Sequence, residues 1–145
     1  MFVGTYRRKV DDKWRLPLPS DLLAGAGEGD QTDFYFAPAA GYLILFSAQY
    51  FDQLVTQLHA KSVMGHRELR KKFFGNSYKK PRDKSGRITI PESLRDRCGL
   101  TTGAEVVLVG TGAYVEILPA AMAPVEPGPE EMVDIFDTLE ALGDS

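Results

Sequence analysis

The chain has 145 residues, 43% hydrophobic and 26% charged, with a formal net charge of −3. That suits one globular domain or two small halves sharing a core, and no apolar run approaches bilayer length. The single cysteine, Cys98, excludes an intramolecular disulfide framework and a cysteine-based metal site, and is expected as a small buried residue at a helix end. In chain order, Phe2 to Lys9 and Arg15 to Leu18 read as short strands around the turn-prone Asp11-Asp12-Lys13. This start lacks the charged-then-apolar layout of a secretory signal, which predicts a cytoplasmic protein. Pro19 to Leu23 opens a short helix with Ser20 as N-cap, ended by Gly25, Gly27 and Gly29. Phe34–Phe36 and Tyr42–Phe46 form a hairpin around Pro38 and Gly41. Ser47 caps a helix over 48–60 with Phe51, Leu54, Val55 and Leu58 on one stripe, and His66 to Phe73 is a second, basic helix ending at Gly75. Strands follow near Phe74–Lys80 and Ile88–Ile90, then a helix near Glu92–Cys98. A Gly-terminated loop from Gly99 to Gly103 leads into a hairpin from Glu105–Val109 to Tyr114–Leu118. Pro119 to Pro129 reads as a linker. Glu130 to Leu142 places Val133, Phe136, Leu139 and Leu142 at helical spacing, an amphipathic helix that should pack on something.

The same sequence pattern occurs twice, 72 residues apart and without a gap. Asp11-Asp12-Lys13-Trp14-Arg15-Leu16-Pro17-Leu18-Pro19 is answered by Asp83-Lys84-Ser85-Gly86-Arg87-Ile88-Thr89-Ile90-Pro91. The offset also maps Phe2 to Phe74, Tyr6 to Tyr78, Leu22 to Leu94 and Gly27 to Gly99, and each hairpin onto the other. This predicts a β-rich α+β fold built from one supersecondary unit used twice about a pseudo-twofold axis. The expected units are a first repeat at 1–47, a helical insertion at 48–72, a second repeat at 73–122, and an acidic linker and C-terminal helix at 123–145.

Charge is segregated. Residues 120–145 carry seven acids and no Lys or Arg, leaving 17 basic against 13 acidic residues in the body, about +4. Residues 61–97 alone hold twelve Lys or Arg against four acids. A basic body with an acidic tail fits a polyanion-binding protein, the alternative being solvated helix faces. Each repeat also sets an acid four residues before an arginine. Arginine can grip a guanine edge or a phosphate through two parallel hydrogen bonds, but fixing its long side chain costs rotamer entropy. A neighbouring carboxylate can hold the guanidinium in one pose and tie down the turn through backbone N–H groups, so Asp11 and Asp83 are expected to be structural. The alternative is a pair of turn-stabilising ion pairs, each worth only about 0–1 kcal/mol on a surface.

The Met-Phe start, the two Asp-to-Pro segments and the helical insertion between them resemble the MraZ family of bacterial transcription regulators. The resemblance covers about residues 1–122. It implies a duplicated AbrB/MazE-like swapped-hairpin β-barrel with peripheral helices, and two SpoVT-AbrB-like repeats. It further implies a homo-oligomeric ring, an octamer or dodecamer, and binding to short direct repeats in the promoter of the division and cell-wall gene cluster. Lys13 and Arg15, with Lys84 and Arg87 of the second copy, would then contact bases or phosphates. Arg7, Arg8, Lys79 and Arg82 would add phosphate contacts that position rather than specify. Two departures fall near that face: the family's glycine is Trp14 in the first copy, and a commonly basic position is Val3. Trp14 reads as an aromatic lid over a barrel end, a subunit contact or a base-stacking residue.

No catalytic signature is present. His59 and His66 lie on different predicted segments, and neither a Gly-rich phosphate loop with Lys-Ser or Lys-Thr nor a G-x-S-x-G elbow occurs. The expectation is a cytoplasmic, nucleoid-associated, non-enzymatic regulator that binds double-stranded DNA and its own copies. It would use no cofactor, metal, small-molecule substrate or membrane. The rival readings are a ring-forming scaffold with weak or degenerate DNA binding, and an AbrB- or antitoxin-like regulator.

Overall fold

Strands form where apolar and polar residues alternate, because successive side chains of a strand point to opposite faces. The computed structural model, which describes residues 1–24, 33–60 and 66–143 (His59 and Ala60 by backbone only), has eight strands, the outer ones alternating in this way and the central ones apolar through most of their length. They are β1 (Thr5–Lys9), β2 (Arg15–Pro17), β3 (Asp33–Pro38), β4 (Leu43–Ser47), β5 (Tyr78–Pro81), β6 (Arg87–Thr89), β7 (Glu105–Gly110) and β8 (Val115–Pro119). Five α-helices accompany them: α1 (Ser20–Leu23), α2 (Ala48–Ala60), α3 (Arg67–Phe74), α4 (Glu92–Arg95) and α5 (Pro129–Gly143). The fold is α+β. The expected glycine stretch Gly25, Gly27 and Gly29 lies outside the described residues.

Six strands make one antiparallel sheet in the order β1-β7-β8-β4-β3-β5, and β2 and β6 pair as a separate ribbon. The order reads the same from either end once each strand is exchanged for its counterpart 72 residues away. The registers obey the same rule: Tyr6 stands opposite Leu108 where Tyr78 stands opposite Phe36. At the centre Ile44 faces Glu116, and in the ribbon Leu16 faces Ile88, so the pseudo-twofold axis passes through both pairs. Each half's first strand lies on the other half's hairpin, β1 on β7 and β5 on β3.

One face of the sheet packs on the ribbon and the short helices. Phe34, Phe36, Leu43 and Leu45 from one half meet Val106, Leu108, Val115 and Ile117 from the other, with Leu16, Ile88, Leu22 and Leu94 closing the core. The opposite face carries a second cluster around Ala37, Phe46 and Phe51, against which Tyr35, Phe73, Phe74 and Tyr114 pack. Phe51 from α2 stacks on Tyr35 at 4.0 Å between centroids, and Phe73 and Phe74 from α3 lie 6.1 and 5.5 Å from it. This aromatic cluster fastens the insertion to the sheet. Ser47 caps α2, its Oγ accepting the Tyr50 N–H at 3.2 Å.

Three expectations need correction. Ser20 is not a cap: it is the first residue of α1, preceded by Pro19 in extended conformation with no side-chain cap bond. Phe74 does not begin a strand, because α3 runs through it and the Gly75, Asn76 and Ser77 N–H groups bond back to Lys71, Phe73 and Phe74. Residues 120–122 form a short 3-10 turn rather than open linker, at the position where the first half begins α2. The expected amphipathic helix forms as α5, and within this single chain it buries none of its residues. Cys98 ends the helical segment after α4 but is only half-buried, and burial pushes its thiol pKa up. No helix of the described residues is long and apolar enough to cross a membrane.

Candidate nucleic-acid interface

The two Asp-to-Arg loops have the same architecture. In the first, the Asp11 carboxylate accepts the Lys13 and Arg15 backbone N–H groups at 2.9 and 2.8 Å and Arg15 Nε at 2.7 Å. In the second, Asp83 accepts the Ser85 and Arg87 N–H groups at 2.9 and 2.8 Å and Arg87 Nε at 3.0 Å. The main chain closes each turn in parallel: the Asp N–H donates to the Arg carbonyl, and the Trp14 or Gly86 N–H to the Asp carbonyl. A short acceptor that bonds its own backbone two and four residues on is what makes aspartate the residue for this loop.

These bonds also shift the acids. Removal from water opposes the charged form of Asp11, but the Arg15 N–H, the Arg15 guanidinium and the Lys13 N–H outweigh it, so its pKa lies below the ordinary 3.8. At Asp83 the Arg87 N–H is the leading cause of the same downward shift. Both carboxylates are therefore charged at neutral pH and keep their grip on the guanidinium groups.

The ribbon sets the spacing. Arg15 stands opposite Thr89 and Pro17 opposite Arg87, while Leu16 and Ile88 point into the core. Cross-strand partners share a face, so Arg15 and Arg87 emerge together on the outer side as diagonal neighbours, about 7–8 Å apart at the backbone. Each is held by Nε, which leaves the Nη edge outside the aspartate bonds. Lys13 and Lys84 occupy the exposed loop tips and Arg82 is half-buried beside the second loop.

Three other cations expected at the interface, Arg7, Arg8 and Lys79, have partners elsewhere. Arg7 pairs across strands with Glu105 at 2.8 Å, and its counterpart Lys79 pairs with Asp33 at 3.7 Å. The acids Asp33 and Glu105 were missed in the sequence, although the same 72-residue offset relates them. Arg8 lies over the Tyr6 ring at 5.8 Å and donates to the Arg7 carbonyl. The Arg7–Glu105 and Lys79–Asp33 pairs tie the exchanged strands β1 and β5 to their hairpins, whereas the ribbon brings together Arg15 and Arg87.

Between their Asp and Arg the loops differ at all three positions, Asp12-Lys13-Trp14 against Lys84-Ser85-Gly86, and the last of these bears on the backbone. Both Trp14 (φ 61°) and Gly86 (φ 78°) adopt the left-handed conformation. That costs an L-residue roughly 1–2 kcal/mol and glycine nothing, which is why the second copy has glycine. Trp14 is half-buried against the core, and the Arg95 guanidinium stacks over its ring at 4.7 Å while Arg95 Nε donates to the Ile90 carbonyl. Trp14 thus lids the core beside the first loop. Among the described residues, no group of three or more His, Cys, Asp or Glu could hold a metal ion.

Comparison with known proteins matches this chain to one family. The profile "MraZ protein, putative antitoxin-like" matches residues 1–74. The Transcriptional regulator MraZ of Kocuria rhizophila is 35% identical over 126 residues, covering 83% of this chain and 82% of that protein. Those of Salinispora arenicola and Bifidobacterium longum are 35% and 31% identical, each over 81% of this chain and covering 80% and 76% of their own length. With identity of this order sustained across most of both chains, the protein belongs to the MraZ family.

Proposed function

We propose that this protein is a sequence-specific, double-stranded DNA-binding transcriptional regulator, acting on the division and cell-wall gene cluster promoter through short direct repeats. The observation that carries the reading is the pair of aspartate-locked arginines on one face of the β2–β6 ribbon. A two-stranded ribbon fits the major groove, and an arginine fixed in advance binds a base edge or phosphate without first losing its rotamer freedom. Lys13, Lys84 and Arg82 flank the pair as phosphate contacts, while Arg7, Arg8 and Lys79 contribute to the surrounding positive field. The names of the relatives agree with this assignment. Binding, not catalysis, is the activity.

The exchange of β1 and β5 between the halves supports reading residues 1–47 and 73–122 as two AbrB-like swapped-hairpin repeats joined by the insertion. A homo-oligomeric ring, octamer or dodecamer, would present several ribbons in series. Repeated DNA sites would then be held by the sum of modest contacts. A cytoplasmic, nucleoid-associated location follows from that role.

Fluorescence anisotropy with the DNA upstream of the protein's own gene, against a scrambled duplex, tests the proposal. Arg15→Ala and Arg87→Ala should each lose about 1–3 kcal/mol of sequence discrimination while circular dichroism stays unchanged. Binding through several phosphates should also fall steeply with salt, which assembly of a scaffold need not do. Unaltered binding curves for both variants would remove the ribbon from the interface.

A further inference from the structure

Two apolar surfaces of this chain stand open at once. The first is one side of α5, where Met132, Val133, Ile135, Phe136 and Leu139 are all exposed, Phe136 and Leu139 each to 60%. The second is a groove of about 260 Å³ between α2 and α3, lined by Leu54, Leu58, Leu69, Phe73, Phe74 and Arg70. Leu69 at its rim is also 60% exposed. Exposed apolar area of this kind, framed by charge, marks a contact surface.

The charges around them are opposite. The α5 sequence carries Glu130, Glu131, Asp134, Asp137 and Glu140 and no basic residue. The α3 sequence carries Arg67, Arg70, Lys71 and Lys72 against Glu68 alone. An amphipathic helix laid in an apolar groove is a recurring mode of association, anchored by residues three or four apart such as Phe136 and Leu139. Among the described residues, no α5 residue lines this groove and none is buried. We infer that α5 of one copy docks into the α2–α3 groove of a second copy, its acidic flank against the basic face of α3.

The inference stands on these two surfaces and not on the DNA-binding reading, so either can fail alone. The test uses full-length chains carrying Cys98→Ser. Leu69→Cys is placed on one preparation and Leu139→Cys on another bearing a size tag, both at exposed positions the fold tolerates. The two are mixed, oxidised with diamide and run on a non-reducing gel. Cross-linking between the tagged and untagged chains should exceed either homodimer several-fold and vanish when Phe136→Asp is added. Three results would overturn the inference: no mixed cross-link, a Leu139→Cys homodimer that dominates, or an internal disulfide alone in a chain carrying both cysteines.

Discussion

Replacing Trp14 by the glycine found at the equivalent position 86 sets two opposed effects against each other. The left-handed backbone at φ 61° is strained for tryptophan, and glycine would release roughly 1–2 kcal/mol. Against this, a half-buried tryptophan removes about 150 Å² of mostly apolar surface from water. At about 25 cal/mol per Å², discounted for a compact unfolded chain, that burial is worth ~3 kcal/mol. The Arg95 guanidinium over the ring at 4.7 Å adds about 0.5–1 kcal/mol. Packing therefore wins, and Trp14→Gly should destabilise the fold by about 2 kcal/mol, equivalent to a drop in Tm of roughly 4–8 °C for a chain of this size. Urea unfolding followed by circular dichroism measures it, with an unchanged m-value confirming that the transition remains comparable. A variant as stable as the parent, or more so, would mean that backbone strain outweighs the lid and refute the reasoning.

Other consequences are equally open to measurement. Because Asp11 and Asp83 have lowered pKa values, their stabilising contribution is complete above the ordinary 3.8 and is lost as pH falls through the lower folded values. Asp83→Asn should accordingly be less stable than the parent at neutral pH, and the difference should shrink in acid; a pH-independent gap would argue against the carboxylate as the source. A Cβ at Gly110 would lie 2.5 Å from the backbone of Phe2 and Val3, so Gly110→Ala should push the N-terminal residues off β7 and raise amide exchange there. Phe51→Ala should cost about 3–5 kcal/mol by emptying the aromatic cluster, with proteolysis appearing first in the insertion between the halves.

Much of the architecture could be read from residue type and spacing, but not the pairing of its parts. The alternation Phe34, Phe36 and Val106, Leu108 predicted strands, and the acid four residues before each arginine predicted the locked turn. Which hairpin receives β1 could not be read. The two hairpins present nearly the same inward pattern, so Tyr6 would suit either, and only three-dimensional closure selects β7. Phe74 misled for a related reason: the offset matched it to Phe2, but the helical run from Arg67 carried through it. Trp14 was visible as a departure, whereas its partner Arg95 was not, since its counterpart in the first half is Leu23. The helical spacing of α5 was equally plain, yet periodicity says only that a face is apolar and not what it meets.

The exchange of β1 bears on how the protein is made. Thr5 must find Val109, a partner that leaves the ribosome about a hundred residues later, roughly 5–20 s at ordinary synthesis rates. Until then β1 is exposed with no native partner, and neither half can complete its sheet alone. Pairing at such separations makes for slow folding and leaves strand edges open during synthesis. A half-chain ending before β5 would have to find its missing strand in a second half-chain. Joining the two repeats in one polypeptide supplies that strand at high local concentration, so that completion of the sheet no longer depends on how much protein the cell contains.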